Sequence, residues 1–367
     1  PQQRKLIADA QLKQTVERVL GHHGDQEIFV IFQFKSKNGA PLIDKGQVLA
    51  RQQFQLSSYQ FPDLSEKGTV KSEESAAAIQ KEETNSYVKL VAGGTELCVG
   101  KWTGLIDYLN VDGRRMLQFR ESITPEFWRA PTDNDYGAGL QRRFETWRNP
   151  ELKLKDCTVN ANTVSARFEM PAQKALLTMT YTLTAEGEVI VREQLAADKE
   201  AKVSDMFRFG VQLQMPRQYD RVKYYGRGPA ENYIDRNSSE FLGYYENEVA
   251  KEYFDYVRPQ ESGNHTDVRW FAVVDGEGRG LCFYSNAPME ASAMPYTMDQ
   301  LDDGPTKDKK WGHHSGDLVP AGRTQVFVQQ RQFGLGCVNS WGAWPREEYR
   351  LPYKDYDFTF AIKPVRK

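Results

Sequence analysis

Four short stretches of this 367-residue chain carry residue types that could do chemistry. They are FWRAPTDND (Phe127 to Asp135), YYGRGPAENYIDR (Tyr224 to Arg236), RPQESGNHTDVRW (Arg258 to Trp270) and GCVNSWGAWPREEYRL (Gly336 to Leu351). Each mixes Gly or Pro with carboxylates, Arg and a large aromatic. That is the equipment of a carbohydrate cleft, where bidentate polar side chains meet hydroxyls and an aromatic face covers the apolar side of a sugar ring. The same residues also have a plainer use, in which Pro and Gly fix turns and Arg–Asp pairs tie loops to a scaffold. Residue types alone leave both readings open.

Other chemistries fit less well. GRGP lacks the Lys-Ser/Thr of a P-loop and the G-x-G-x-x-G that opens a dinucleotide-binding helix. His22 and His23 flank a glycine turn, while His265, His313 and His314 fall in the loop-rich later half. Neither these five histidines nor the four dispersed cysteines show metal-ligand spacing, and the cysteines read as buried thiols. Proton transfer on a pyranose ring needs a carboxylate base and a His acid. Glu261 with His265, or with His313 or His314, are the candidates.

Composition narrows the function class further. Hydrophobic residues make up 40% and charged residues 27%, an ordinary globular balance, and 12% aromatics favours a binder of flat polar ligands. With 48 basic and 50 acidic residues interspersed, there is no electrostatic footprint for nucleic acid or an anionic membrane. No apolar run reaches membrane-span length, and PQQRKLIADA has no signal-peptide core. A soluble protein of the cytoplasm or periplasm is the expectation.

The elements that must position the four stretches read as strands. Glu27 to Phe34 (EIFVIFQF) predicts a buried strand and Gln47 to Leu56 a second. Upstream, LIADAQLKQTVERVLG fits either an amphipathic helix capped by Gly21 or a strand followed by a loop. So few strands close no sandwich, so residues 1–61 read as part of a domain. Residues 62–85 are polar and charged and predict a linker, and residues 86–367 form a second domain. There, Leu177, Met179, Tyr181 and Leu183 alternate with threonines, and Phe207, Phe209, Val211, Leu213 and Met215 share a face. The fold class is all-β, a large antiparallel sandwich, with no strand–helix alternation to encode a barrel.

Taken together and in order, the four stretches resemble the C-terminal part of the large beta-galactosidases, the multi-domain family 2 glycoside hydrolases. The pattern runs F-W-R-A-P-T-D-N-D, Y-G-R-G-P-x-E-N-Y-x-D-R, V-R-P-Q-E-x-G-x-x-x-x-V-R-W, N-S-W-G and a closing Y-R-L-P-Y-x-x-Y-x-F-x-F. It is similar to that family's terminal domain, a galactose-mutarotase-like β-supersandwich, and GQVLARQQFQL resembles a strand of the preceding immunoglobulin-like domain, here partial.

The resemblance implies a fragment of a retaining glycosidase acting on terminal beta-D-galactosides. Such enzymes need two carboxylates about 5–5.5 Å apart. Both belong to the family's barrel, as do its Mg2+ and Na+ sites, so no catalytic residue and no metal is assigned to this chain. The expected partners are beta-galactoside sugars, the N-terminal and barrel domains, and further copies of the whole enzyme.

Trp341 matches the family's sugar platform, with Asn339 and Ser340 beside it. Gly336-Cys337-Val338 departs from the family's Gly-Gly-Asp just before it. Glu261, His265 and Trp344 are further sugar-contact candidates. A mobile active-site loop would span residues 113–123, including Arg120 and Glu121, with Arg129, Asp133, Asn134 and Asp135 as its anchor. The alternatives are an autonomous carbohydrate-binding module and an aldose mutarotase.

Overall fold

The computed structural model describes residues 10–23, 26–65, 67, 78–306, 314–336, 338–339 and 342–367. The chain divides into two compact units, Pro1–Pro62 and Asp63–Lys367. In the first, helix α1 (Ala10–His23) runs through Gly21 rather than ending there, and no residue of it is buried. Strands β1 (Ile28–Lys35) and β2 (Val48–Ser57) pair antiparallel. The strand expected from EIFVIFQF is present, but its burial is not: Ile31, Phe34, Leu49 and Phe54 are all at least half exposed. Two strands have two faces, and among the described residues of this unit those faces stay largely exposed.

The second unit is all-β around one dominant core. A five-stranded sheet runs in simple sequence order through β3 (Gln80–Glu83), β4 (Tyr87–Ala92), β5 (Thr95–Gly100), β6 (Ile106–Val111) and β7 (Arg114–Arg115). The polar stretch expected as a linker therefore belongs partly to this unit. Leu64 is buried against Ile190 and Ala361, and β3 adds a charged strand at the sheet's edge. Charge suits that place, because a charged edge resists further pairing.

The larger sheet has twelve strands. These are β8 (Thr124–Glu126), β9 (Lys153–Asn160), β10 (Thr163–Met170), β11 (Ala175–Leu183), β12 (Val189–Ala197) and β13 (Arg208–Pro216). There follow β14 (Arg221–Gly228), β15 (Phe241–Glu248), β16 (His265–Val274), β17 (Gly280–Met294), β18 (Arg323–Gln332) and β19 (Tyr356–Val365). The long β17 shapes the whole. Its first half pairs with β19 through residues 280–285, and its second half pairs with β18 through residues 290–294. The change of partner occurs around Pro288, which has no N–H to give a ladder. From there β18, β13 and β8 form a branch off the main path.

Period-two patterning holds where it was read. Leu177, Met179, Tyr181 and Leu183 are fully buried on β11, as are Phe209, Val211, Leu213 and Met215 on β13. One core-facing residue breaks the pattern. Glu193 of β12 lies between Met179 and Phe358 on the neighbouring strands, is fully buried, and neither carboxyl oxygen finds a hydrogen-bond partner among the described residues. Burial, reinforced by the Glu126 carboxylate, pushes its pKa well above the usual range. Cys98, Cys157 and Cys282 are free and half-buried, and Cys337 lies outside the described residues.

A carboxyl whose folded pKa is raised stays neutral in the fold while the unfolded chain ionises. Stability is then lost as pH climbs from the unfolded value toward the folded one. Glu193→Met should therefore stabilise the chain by about 1–3 kcal/mol through removal of an unsatisfied buried group. Thermal denaturation should show a larger gain at pH 8 than at pH 5.

Candidate functional site

The four stretches converge on the described ends of one segment, residues 333–336 and 342–344. The first makes its contribution through a capped helix. Thr132 is the N-cap of α2 (Asp133–Ala138), where its side chain accepts from Asp135 N–H while Asp135 accepts from Thr132 N–H. This capping box points the Asp135 carboxylate back at Arg129. Arg129 is completely buried and donates Nε to Asp135 Oδ2 at 3.0 Å and Nη2 to Oδ1 at 2.7 Å. Its remaining donors reach Gln332 Oε1 at 3.3 Å, the Phe333 carbonyl, and the Gly334 carbonyl at 3.2 Å. The guanidinium also lies over the Phe207 ring at 4.6 Å.

The second stretch supplies Asp235, whose carboxylate accepts from Leu335 N–H at 3.0 Å and Gly336 N–H at 2.8 Å. The third locks the assembly from beneath. Gln332 donates to Glu261 Oε1 at 3.1 Å, Arg208 donates to Glu261 Oε2 at 2.7 Å, and Asp133 N–H donates to Gln260 at 3.1 Å. Burial holds the Glu261 carboxyl above its usual range even beside Arg208. Second and third stretches are joined by Glu231, which accepts from Ser262 Oγ at 3.0 Å and Gly263 N–H at 2.7 Å.

Two glycines close the turn's root where no other residue fits. Gly336 has φ +77°, and a Cβ there would stand 2.5 Å from the Ala343 carbonyl oxygen. Gly342 has φ +79°, and its Cβ would stand 2.4 Å from the Gly137 backbone of α2. Gly336 and Gly342 are thus two backbone positions of this segment that only glycine occupies without strain.

The expected site residues fare differently. Ser340 and Trp341 lie outside the described residues. Asn339 is exposed and its side-chain oxygen accepts from Ala343 N–H at 3.3 Å, so it braces the turn. Trp344 is half-buried with Arg143 and Arg350 over its ring at 5.8 and 5.1 Å and Phe144 and Phe333 against its edges. Its faces are occupied, which makes it a packing residue of the root and not an open platform.

Glu261 and His265 do not share a cavity. Both are buried, Glu261 in the pairing above and His265 between Glu252 at 2.6 Å and the Arg227 carbonyl at 3.2 Å, with Tyr224 stacked on its ring. Both side chains are thus buried on protein partners, which argues against the base–acid pair. His313 lies outside the described residues, and His314 is exposed.

The anchor also differs from expectation. The bonds described from Arg129 and Asp135 hold residues 332–334, not 113–123. The latter segment docks by itself: Met116 and Leu117 are buried, Gln118 N–H donates to the Gln214 carbonyl at 2.7 Å, and Glu121 pairs with Arg323 at 2.9 Å. Its exposed tip is Phe119 and Arg120, with the Arg120 guanidinium 5.2 Å from the Phe119 ring centroid. FWRAPTDND itself is core, since Phe127, Trp128, Arg129, Ala130, Thr132 and Asp135 are all buried. Sequence reasoning missed Gln332, Arg208 and Asp235. The recurrence of Gln at alternate positions of β13 and β18 was the signal for the first.

No group of three or more His, Cys, Asp or Glu among the described residues could hold a metal ion. None of the described helices is long and apolar enough to cross a membrane.

Arg129→Met leaves Asp135 buried and uncompensated, and should cost about 3–5 kcal/mol in denaturant unfolding. Asp235→Ala removes the acceptor of two amides. Hydrogen exchange should then show faster exchange at Leu335 and Gly336, with strand amides of β11 and β12 unchanged.

Known proteins similar to this chain are beta-galactosidases. Beta-galactosidase of Priestia megaterium is 31% identical over 265 residues, covering 70% of this chain and 25% of the relative. That of Lactobacillus delbrueckii subsp. bulgaricus is 34% identical over 266 residues, with 70% and 25% covered. Beta-galactosidase of the yeast Kluyveromyces lactis is 25% identical over 345 residues, covering 89% of this chain and 31% of that protein. The chain thus spans about a quarter to a third of the length of the curated relatives it matches. Among solved structures, a galactose mutarotase related enzyme of Lactobacillus acidophilus overlays with a TM-score of 0.43 at 7% identity, covering 79% of this chain and 97% of that one. The family model described as beta galactosidase small chain matches residues 92–362, so the chain belongs to that family.

Proposed function

We propose that this chain is the active-site-wall portion of a retaining beta-galactosidase and presents Trp341 to a terminal beta-D-galactoside. The carboxylate pair and the metal ions of the reaction belong to a barrel portion outside these residues. The observation that supports this reading is the rooting of one short turn by all four loop stretches. Arg129 holds its carbonyls, Asp235 holds its amides, and Gly336 and Gly342 fix its two ends. A structural turn has no need of so many buried charges. An aromatic platform does, because a misplacement of about 1 Å near a reacting sugar costs on the order of a hundredfold in rate.

The platform acts through binding. An indole face lies against the apolar face of galactose and orients the glycosidic bond toward the barrel carboxylates. On this reading the chain supplies no proton transfer and no nucleophile.

Hydrolysis of a chromogenic beta-galactoside should be absent with this chain alone and should appear on mixing with the separately expressed N-terminal and barrel portion. In the mixture, Trp341→Ala should raise KM roughly tenfold, equivalent to about 1.4 kcal/mol of lost binding. Hydrolysis by this chain alone, or full activity of the barrel portion without it, would sink the proposal.

A further inference from the structure

Away from the turn, the branch of the sheet formed by β8, β13 and β18 leaves part of its polar face open to a cavity of about 160 Å³. Its floor is Glu126, Gln212, Gln214 and Gln325, and its walls include Trp128, Asn149 and Asp302. The floor is an oriented relay. Arg323 donates to Gln214 Oε1 at 2.6 Å, Gln214 Nε2 donates to Gln325 Oε1 at 3.0 Å, and Gln325 Nε2 donates to Gln212 Oε1 at 3.1 Å. Each amide fixes the direction of the next, so the series ends on the Gln212 Nε2 donor. Among the described residues, that donor and the carboxamide of the solvent-exposed Asn149 have no protein hydrogen-bond partner.

The walls exclude other ligands in turn. Asp302 is committed, with Oδ2 accepting from Trp128 Nε1 at 3.0 Å and pairing with Arg148 at 2.8 Å, while Oδ1 accepts from Gly304 N–H at 2.7 Å. Three of its about four acceptor positions are taken, and no group of three or more His, Cys, Asp or Glu among the described residues could hold a metal ion. An anion would meet Glu126, Asp299 and Asp302 against one arginine that is already paired. An apolar molecule would strand the amides. What remains is a neutral molecule whose groups both donate and accept, which describes a hydroxyl. The volume equals roughly five waters at ~30 Å³ each. That space suits a polyol or a single sugar ring open to solvent on one side, and is too small for a disaccharide.

We propose that this cavity, where the free ends of Gln212 and Asn149 share a space with the Glu126 carboxyl, binds one neutral polyhydroxylated molecule of monosaccharide or polyol size. The site is separate from the turn that carries Trp341 and does not depend on the function proposed for it. Asn149→Ala removes a side chain with no protein hydrogen bond. Gln212→Glu keeps the acceptor that Gln325 uses and replaces the free donor with a carboxylate.

The test is an NMR titration of the full chain with galactose and with glycerol, following the Trp128 indole resonance. Saturable shifts are expected, with the dissociation constant raised roughly tenfold by either substitution, the loss of about one good hydrogen bond. Trp341→Ala should leave the titration unchanged, and the melting temperatures of Asn149→Ala and Gln212→Glu should stay near that of the parent. Absence of saturable shifts with both probes would overturn the proposal. So would a titration indifferent to both substitutions, or one abolished by Trp341→Ala.

Discussion

The end of the second unit where the four stretches meet depends on one buried ion pair. Arg129 and Asp135 are both withdrawn from water, and such a pair is worth having only when the remaining donors are satisfied. Here every N–H of the guanidinium is used, two on the carboxylate and the others on Gln332 and the Phe333 and Gly334 carbonyls. A lysine could not take its place, because an ammonium has three donors and no planar fork. The pair makes three things at once: it fixes the start of α2, ends β18, and sets the direction in which the following turn departs. Arg208 makes a useful contrast, since its Nε and Nη1 have no partner among the described residues and it is held by Glu261 and the Phe327 ring.

The sheet is unusual in being polar on a face that is nevertheless covered. Gln325, Gln329 and Gln332 of β18 and Glu290 and Ser292 of β17 are all buried. Glu290 is pushed up to about 7 by burial despite its bond from Asn264, and Glu126 reaches about 7 for the same reason against the pull of Arg208. Carboxyls in this condition make the covered face sensitive to rising pH, since each is easier to ionise in the unfolded chain. The first and third stretches supply hydrogen-bonding partners to this face, Arg129 and Glu261 to Gln332 and Asn264 to Glu290 and Gln329.

That arrangement also sets the limits of what the sequence disclosed. Strands whose two faces differ, such as β10, β11 and β13, were legible because alternation reports one wet side and one dry side. Alternation cannot say that the second side is dry too, so FWRAPTDND read as a cleft or a turn and Gln332 passed unnoticed. EIFVIFQF misled in the opposite sense, since a run of apolar residues reports a wish to be covered and not the cover. The partners of Arg129 were illegible for another reason: Gln332 and Gly334 lie some two hundred positions away along the chain. Only the order of the four stretches, not their spacing, hinted that they meet.

The position of β19 has a consequence for biosynthesis. It is the strand that joins the β9–β12 block to the β14–β17 block, pairing with β12 on one side and β17 on the other. Both blocks leave the ribosome before it does. Each must wait with an unpaired strand edge exposed, the condition that invites association between nascent chains. The twelve-stranded sheet can therefore be completed only after β19 has emerged, and chaperone demand during translation should concentrate on those two waiting edges.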